Sequence, residues 1–101
     1  MIQPTVGRIV WYYPDERDGM TGGAGDTTPR AAIIAYVHDD HMVNLVVFDT
    51  NGMSYSRTSV PLVQPKDPAR ADQSYCRWMP CQVKKDHGSE SGEKAAGVQE
   101  V

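Results

Sequence analysis

The chain has 101 residues, 40% of them hydrophobic, with ten Lys and Arg against thirteen Asp and Glu and a net charge of −3. That length makes one domain with a small core and excludes a large buried active-site cavity. The acidic balance, with a pI near 5.5, lacks the basic patch and alkaline pI of a dedicated nucleic-acid binder.

In chain order, Met1 to Val6 is a lead-in without the charged and apolar regions of an export signal. Gly7-Arg8-Ile9-Val10-Trp11-Tyr12-Tyr13 reads as the first strand, rich in β-branched and aromatic residues. Ile9, Trp11 and Tyr13 share one face and Val10 and Tyr12 the other, and Pro14 ends the strand because it cannot donate to a ladder. Asp15 to Pro29 is a long polar connection in which four of fifteen residues are glycine and no period survives. Connections of that length are functional or disordered, so it is either the binding loop or an insertion.

Two hairpins follow. Ala31 to Val37 and Met42 to Phe48 flank the polar turn His38-Asp39-Asp40-His41, where Asp39 or Asp40 is expected to support positive φ. The second strand turns at Asn51-Gly52, expected as a type I′ turn with positive φ at both residues, into Met53 to Val60. Val43, Leu45 and Val47 point one way and Asn44, Val46 and Phe48 the other. Val60-Pro61-Leu62-Val63 closes the hairpin region.

Gln64 to Ser74 is a polar connector with room for one helical turn at Pro68 to Asp72. Tyr75 to Pro80 reads as a short fifth strand. From Val83 onward no pattern remains, so residues 83–101 are expected to be a disordered tail after a domain spanning 1–82. The order predicts an all-β fold, a small SH3-like five-stranded barrel or, failing closure, a strongly bent antiparallel sheet that dimerises by its edges. A chain this short buries only roughly 60–65% of its unfolded surface, so self-association into a homo-oligomer would add needed burial.

Several blocks together resemble small uncharacterised proteins of tailed bacteriophages and prophages. They are Gln3 to Trp11, Ala31 to Ile33 with Val37 to Asp40, Val43-Asn44-Leu45, Phe48-Asp49 to Asn51-Gly52, Val60 to Gln64, and Tyr75 to Pro80. The resemblance covers roughly Met1 to Gln82 and leaves out the tail. That family has no assigned activity, so the resemblance implies a phage origin and life inside a bacterial host, and carries over no catalytic residues.

The chemistry-bearing residues point to binding and away from catalysis. His38-Asp39-Asp40-His41 contains metal-ligand types, but adjacent turn residues splay apart and cannot converge on one ion. Gly22-Gly23-Ala24-Gly25-Asp26-Thr27-Thr28 could cradle an anion beside Arg30, yet no lysine and helix follow as a phosphate loop requires. No nucleophile, base and orienting group share a motif. Cys76 and Cys81 face opposite sides of a continuous strand, which makes them poor disulfide partners. With no export signal they are expected to stay reduced, in the host cytoplasm.

No apolar run approaches the roughly 20 residues of a helical membrane span. The aromatics lie on or beside strands. Trp11 and Trp78 are expected in the core, and Tyr12, Tyr13 and Tyr55 at the surface, where hydroxyls tolerate water. The candidate ligand-binding set is Tyr13, Arg30, Tyr55 and Arg57, within a stacking platform for a base or peptide built from the surface tyrosines with Arg8, Arg30 or Arg57.

The functional expectation is a non-enzymatic phage accessory protein without cofactor or metal. It would bind a host protein or a small anionic ligand, as in counter-defence, with nucleic acid an unfavoured partner and no membrane attachment. The alternative is a structural virion or assembly component packing in a symmetric shell or tail.

Overall fold

The computed structural model describes residues 1–15, 17–19, 28–68 and 73–83. Five strands, β1 (Ile9–Tyr13), β2 (Arg30–Asp39), β3 (Met42–Phe48), β4 (Ser54–Val63) and β5 (Tyr75–Arg77), close into a barrel in sequence order. Neighbours run antiparallel except β5, which lies antiparallel to β1 and parallel to β4 and joins the two ends of the meander. Closure replaces the open, bent sheet as the way the edges are satisfied. Val83, the first residue of the expected disordered tail, instead lies in a helical turn and packs against the core. The rest of the expected tail, the glycine-rich 22–27 stretch and residues 69–72 of the expected helical turn lie outside the described residues.

Period-2 alternation decides what is inside. Val10 and Tyr12 of β1, Ala32 and Ile34 of β2, and Val43, Leu45 and Val47 of β3 are buried, joined by Val60, Leu62 and Cys76. Ile2 and Trp78 pack against this cluster. The parity read for β1 was right, but its consequence for the aromatics was not. Tyr12 is only 1% exposed, because it shares the inward face with Val10. Trp11 stands on the outer face and is half-buried, whereas Trp78 is in the core as expected.

Alternation alone would send Tyr55 and Arg57 to the opposite face from Val60 and Leu62. A β-bulge prevents this: Val43 faces Val60 and Leu45 faces Arg57, so Asn44 alone opposes Thr58 and Ser59. Ser59 takes φ +54°, the left-handed conformation such an inserted residue uses. The Asn44 side-chain oxygen accepts the Ser59 N–H at 2.8 Å and fixes the bulge. Parity flips there, and Tyr55, Arg57, Val60 and Leu62 all belong to the inward face. A second register shift at Ala35, between Ile34 and Tyr36, does the same for β2 and turns Val37 toward Val43.

The turns differ from the sequence expectation in type. Gly52 has φ +86° and Asn51 does not share it. Gly52 N–H donates to Asp49 O at 2.9 Å and Asp49 N–H to Met53 O at 2.9 Å. This is a three-residue loop with the left-handed residue last, the common alternative to a two-residue turn. The Asp49 carboxylate accepts the Asn51 and Met53 N–H groups, which favours this form. At the other hairpin β2 runs through His38 and Asp39, and neither aspartate has positive φ. β5 is shorter than expected, and a helical turn follows it over residues 80–83.

At the end away from the long connection, Gln64 clasps the barrel. Its side-chain oxygen accepts Ile2 N–H and Trp78 Nε1–H, both at 3.0 Å. Its Nε2 donates to Ile2 O at 3.0 Å and Asp40 O at 2.8 Å. A buried amide can make four such bonds, and here all are made.

Candidate ligand-binding site

The opposite mouth holds the groups of interest. Tyr12 pairs across the sheet with Arg30 on one side and Cys76 on the other. Arg57 faces Leu45, and Tyr55 faces Val47, so both project over the barrel interior at its rim. The first residues of the long connection return over this rim and place Asp18 there.

Asp18 is held from the barrel wall. Arg57 Nε donates to its Oδ2 at 3.0 Å and Arg57 Nη2 to its Oδ1 at 2.8 Å, while the Tyr12 hydroxyl donates to Oδ2. The Asp18 side chain is 5% exposed and that of Arg57 26%. Burial pushes the Asp18 carboxyl up, but the bonds from Arg57 and Tyr12 outweigh it and hold the group below the ordinary aspartate value. Burial, then the hydrogen bond to Asp18, pushes the Tyr12 phenol up to about 12. The same ion pair raises the Arg57 pKa. The groups stabilise one charge state of each other: carboxylate, guanidinium and neutral phenol.

Further contacts extend from this pair along the rim. Arg57 Nη1 donates to Ser56 O at 2.7 Å, and its guanidinium lies 5.7 Å from the Tyr55 ring centroid. The Tyr55 hydroxyl donates to Asp49 at 3.2 Å. On the other flank Asp15 N–H donates to the Ser74 hydroxyl at 2.8 Å, and Ser74 also reaches the Tyr12 oxygen. On the outer face of β1 and β5 Tyr13 and Tyr75 stack, with ring centroids 5.0 Å apart.

Of the four residues singled out from sequence, Tyr55 and Arg57 therefore touch, whereas Tyr13 lies on the outer face of β1 with Trp11. Arg30 is 3% exposed and donates from Nη1 to the Thr28 carbonyl and hydroxyl, both at 2.8 Å, where it anchors the return of the long connection. Sequence reading missed Asp18 and Ser74, and counted Tyr12 among the surface tyrosines without placing it in the candidate set. Asp18 was one acid in a polar stretch, and only the position of Arg57 across the barrel selects it.

The His38 to His41 turn diverges, as its short spacing required. His38 Nε2 lies 2.9 Å from Asn44 Oδ1, His41 pairs with Asp67 at 3.2 Å, and Asp40 accepts a bond from Gln3. Among the described residues no three His, Cys, Asp or Glu side chains are grouped to hold a metal ion. Cys76 is buried, which pushes its thiol up to about 12, and Cys81 is exposed; both are free thiols. No family model matches the chain, and no curated protein or solved structure matches it.

Proposed function

We propose that this protein is a non-enzymatic binding module of phage origin that grips a protein partner of the host through the aromatic rim of its barrel mouth. One observation carries the reading. Tyr55 is 37% exposed and lies over an Arg57 guanidinium that a nearly buried Asp18 immobilises. Tyrosine and arginine on a rigid support are the side chains that dominate protein interfaces, because they add contact area at low cost in conformational entropy. The stacked Tyr13–Tyr75 pair lies on the outer face of the adjoining β1 and β5.

A small anion is less well served. Three of the Arg57 nitrogens are already bonded, and Arg30 is buried on Thr28. The phage setting is supported by the sequence resemblance alone.

The test compares wild type with Tyr55→Ala and Tyr13→Ala/Tyr75→Ala for retention of the partner cross-linked in infected cells. Retention at least tenfold weaker, with an unchanged Tm, supports the reading. Undiminished retention by both variants overturns it.

A second reading rests on a different surface. Ile9, Ile33 and Val46 align across β1, β2 and β3 on the outer face, with Ile9 46% and Ile33 36% exposed. Such an apolar row suits packing in a virion or assembly intermediate. Presence of the protein in purified particles favours that role; its absence there with a retained host partner favours the first.

A further inference from the structure

The bonds at the barrel mouth divide unequally between its two sides. Among the described residues, every side-chain donor to the Asp18 carboxylate comes from the barrel wall: Arg57 Nε and Nη2 on β4 and the Tyr12 hydroxyl on β1. The acceptor comes from the connection that returns over the wall. The donors also have supports besides it. Tyr12 is fixed by its place in the core, and Arg57 by Ser56 O and the Tyr55 ring.

We propose that Arg57 and Tyr12 form a carboxylate receptor that Asp18 fills in cis, and that the partner presents a carboxylate which exchanges with Asp18.

The chemistry selects this ligand class. The planar Nε/Nη2 fork matches two carboxylate oxygens, and the phenol adds a third donor to one of them. One guanidinium balances one negative charge, so a phosphate dianion would bring an uncompensated charge into a site whose resident side chain is 5% exposed. Exchange of one carboxylate for another conserves the charge and each hydrogen bond. Tethering makes Asp18 a strong competitor, with an effective concentration on the order of millimolar or more. A free monocarboxylate therefore competes poorly, whereas a partner that also contacts Tyr55 brings the additional binding energy.

The experiment empties the receptor. Asp18→Ala is melted in sodium acetate and in sodium chloride at equal ionic strength. The expected result is a Tm several degrees higher in acetate, with no such difference for Asp18→Ala/Arg57→Gln. Equal melting in the two salts, or the same gain in the double variant, overturns the proposal. Should Asp18→Ala fail to fold, the isosteric Asp18→Asn is titrated with acetate while the Arg57 Nε–H resonance is followed by NMR. A saturable shift, at least tenfold tighter than in wild type, supports the receptor, and no shift overturns it.

Short peptides with a free C-terminal carboxylate, the same peptides amidated, and peptides with an internal aspartate then show which source binds best. Binding by any carboxylate source supports the receptor, and equal binding by the amidated control overturns it. This proposal deepens the binding-module reading and rests on it. Because the acetate test uses no partner, its failure removes the receptor and leaves the aromatic rim to be judged by the tyrosine variants.

Discussion

Gln64 is the place where one atom's change has the clearest consequence. Its amide accepts from Ile2 N–H and Trp78 Nε1–H and donates to Ile2 O and Asp40 O, all within 3.0 Å. Gln64→Glu keeps the shape and the acceptor but replaces the donor with a second oxygen facing two carbonyls. Each buried polar group left unpaired costs about 1–3 kcal/mol, and the carboxylate is also desolvated. A loss of about 3–5 kcal/mol follows, a large share of the roughly 5–15 kcal/mol that holds a domain folded.

At about 4–8 °C per kcal/mol for a domain of this size, Tm falls by at least about 12 °C. The sign of the pH dependence is fixed as well. Protonation restores one donor, so the folded-state pKa of Glu at this position lies above the unfolded value of about 4.3. Stability is then present below that value and lost as pH rises through the folded pKa. Thermal melts by circular dichroism at pH 7 and pH 4 should show the gap to wild type narrowing at pH 4. A variant within about 4 °C of wild type at pH 7, or a gap that does not narrow, would refute the clasp.

Other consequences are sharper in direction than in size. Arg57→Ala leaves the nearly buried Asp18 charge without its cation and costs about 3–5 kcal/mol. Asp18→Ala leaves an arginine that water reaches and costs less; urea titration should rank them so. At Ser59, with φ +54°, Ser59→Gly is neutral or stabilising by up to about 1 kcal/mol, whereas Ser59→Val costs about 1–2 kcal/mol in the same assay. In an alkaline ultraviolet titration Tyr12 ionises near 12, and Asp18→Asn shifts that step downward because Asp18 raises it. Since its folded pKa lies above the ordinary tyrosine value of about 10, its share of stability is lost as pH rises from there toward 12.

The strands were legible in the sequence because alternation and turn residues are local signals. β3 was read at its observed limits, Met42–Phe48, since polar turns bound it on both sides. The bulges were not legible: whether Ser59 or Thr58 carries the extra residue depends on Asn44 across the sheet. That is why Tyr55 and Arg57 could be named, while their common inward face with Leu62 could not be foreseen. Tyr12 was assigned to the surface by residue type, although its parity with Val10 already placed it inside. The partner of Arg57, thirty-nine residues away at Asp18, leaves no trace in spacing. Only closure of the barrel brings β1 beside β5 and carries the start of the long connection across to β4.

The claim that most depends on this geometry is that the barrel mouth is the surface that engages a partner. Hydrogen–deuterium exchange of the protein alone and with the partner recovered from infected cells tests it directly. Slowed exchange concentrated at residues 17–19, Tyr55 to Arg57 and Tyr75 to Arg77 is the predicted result. Protection confined instead to Ile9, Ile33 and Val46 on the outer wall would contradict it.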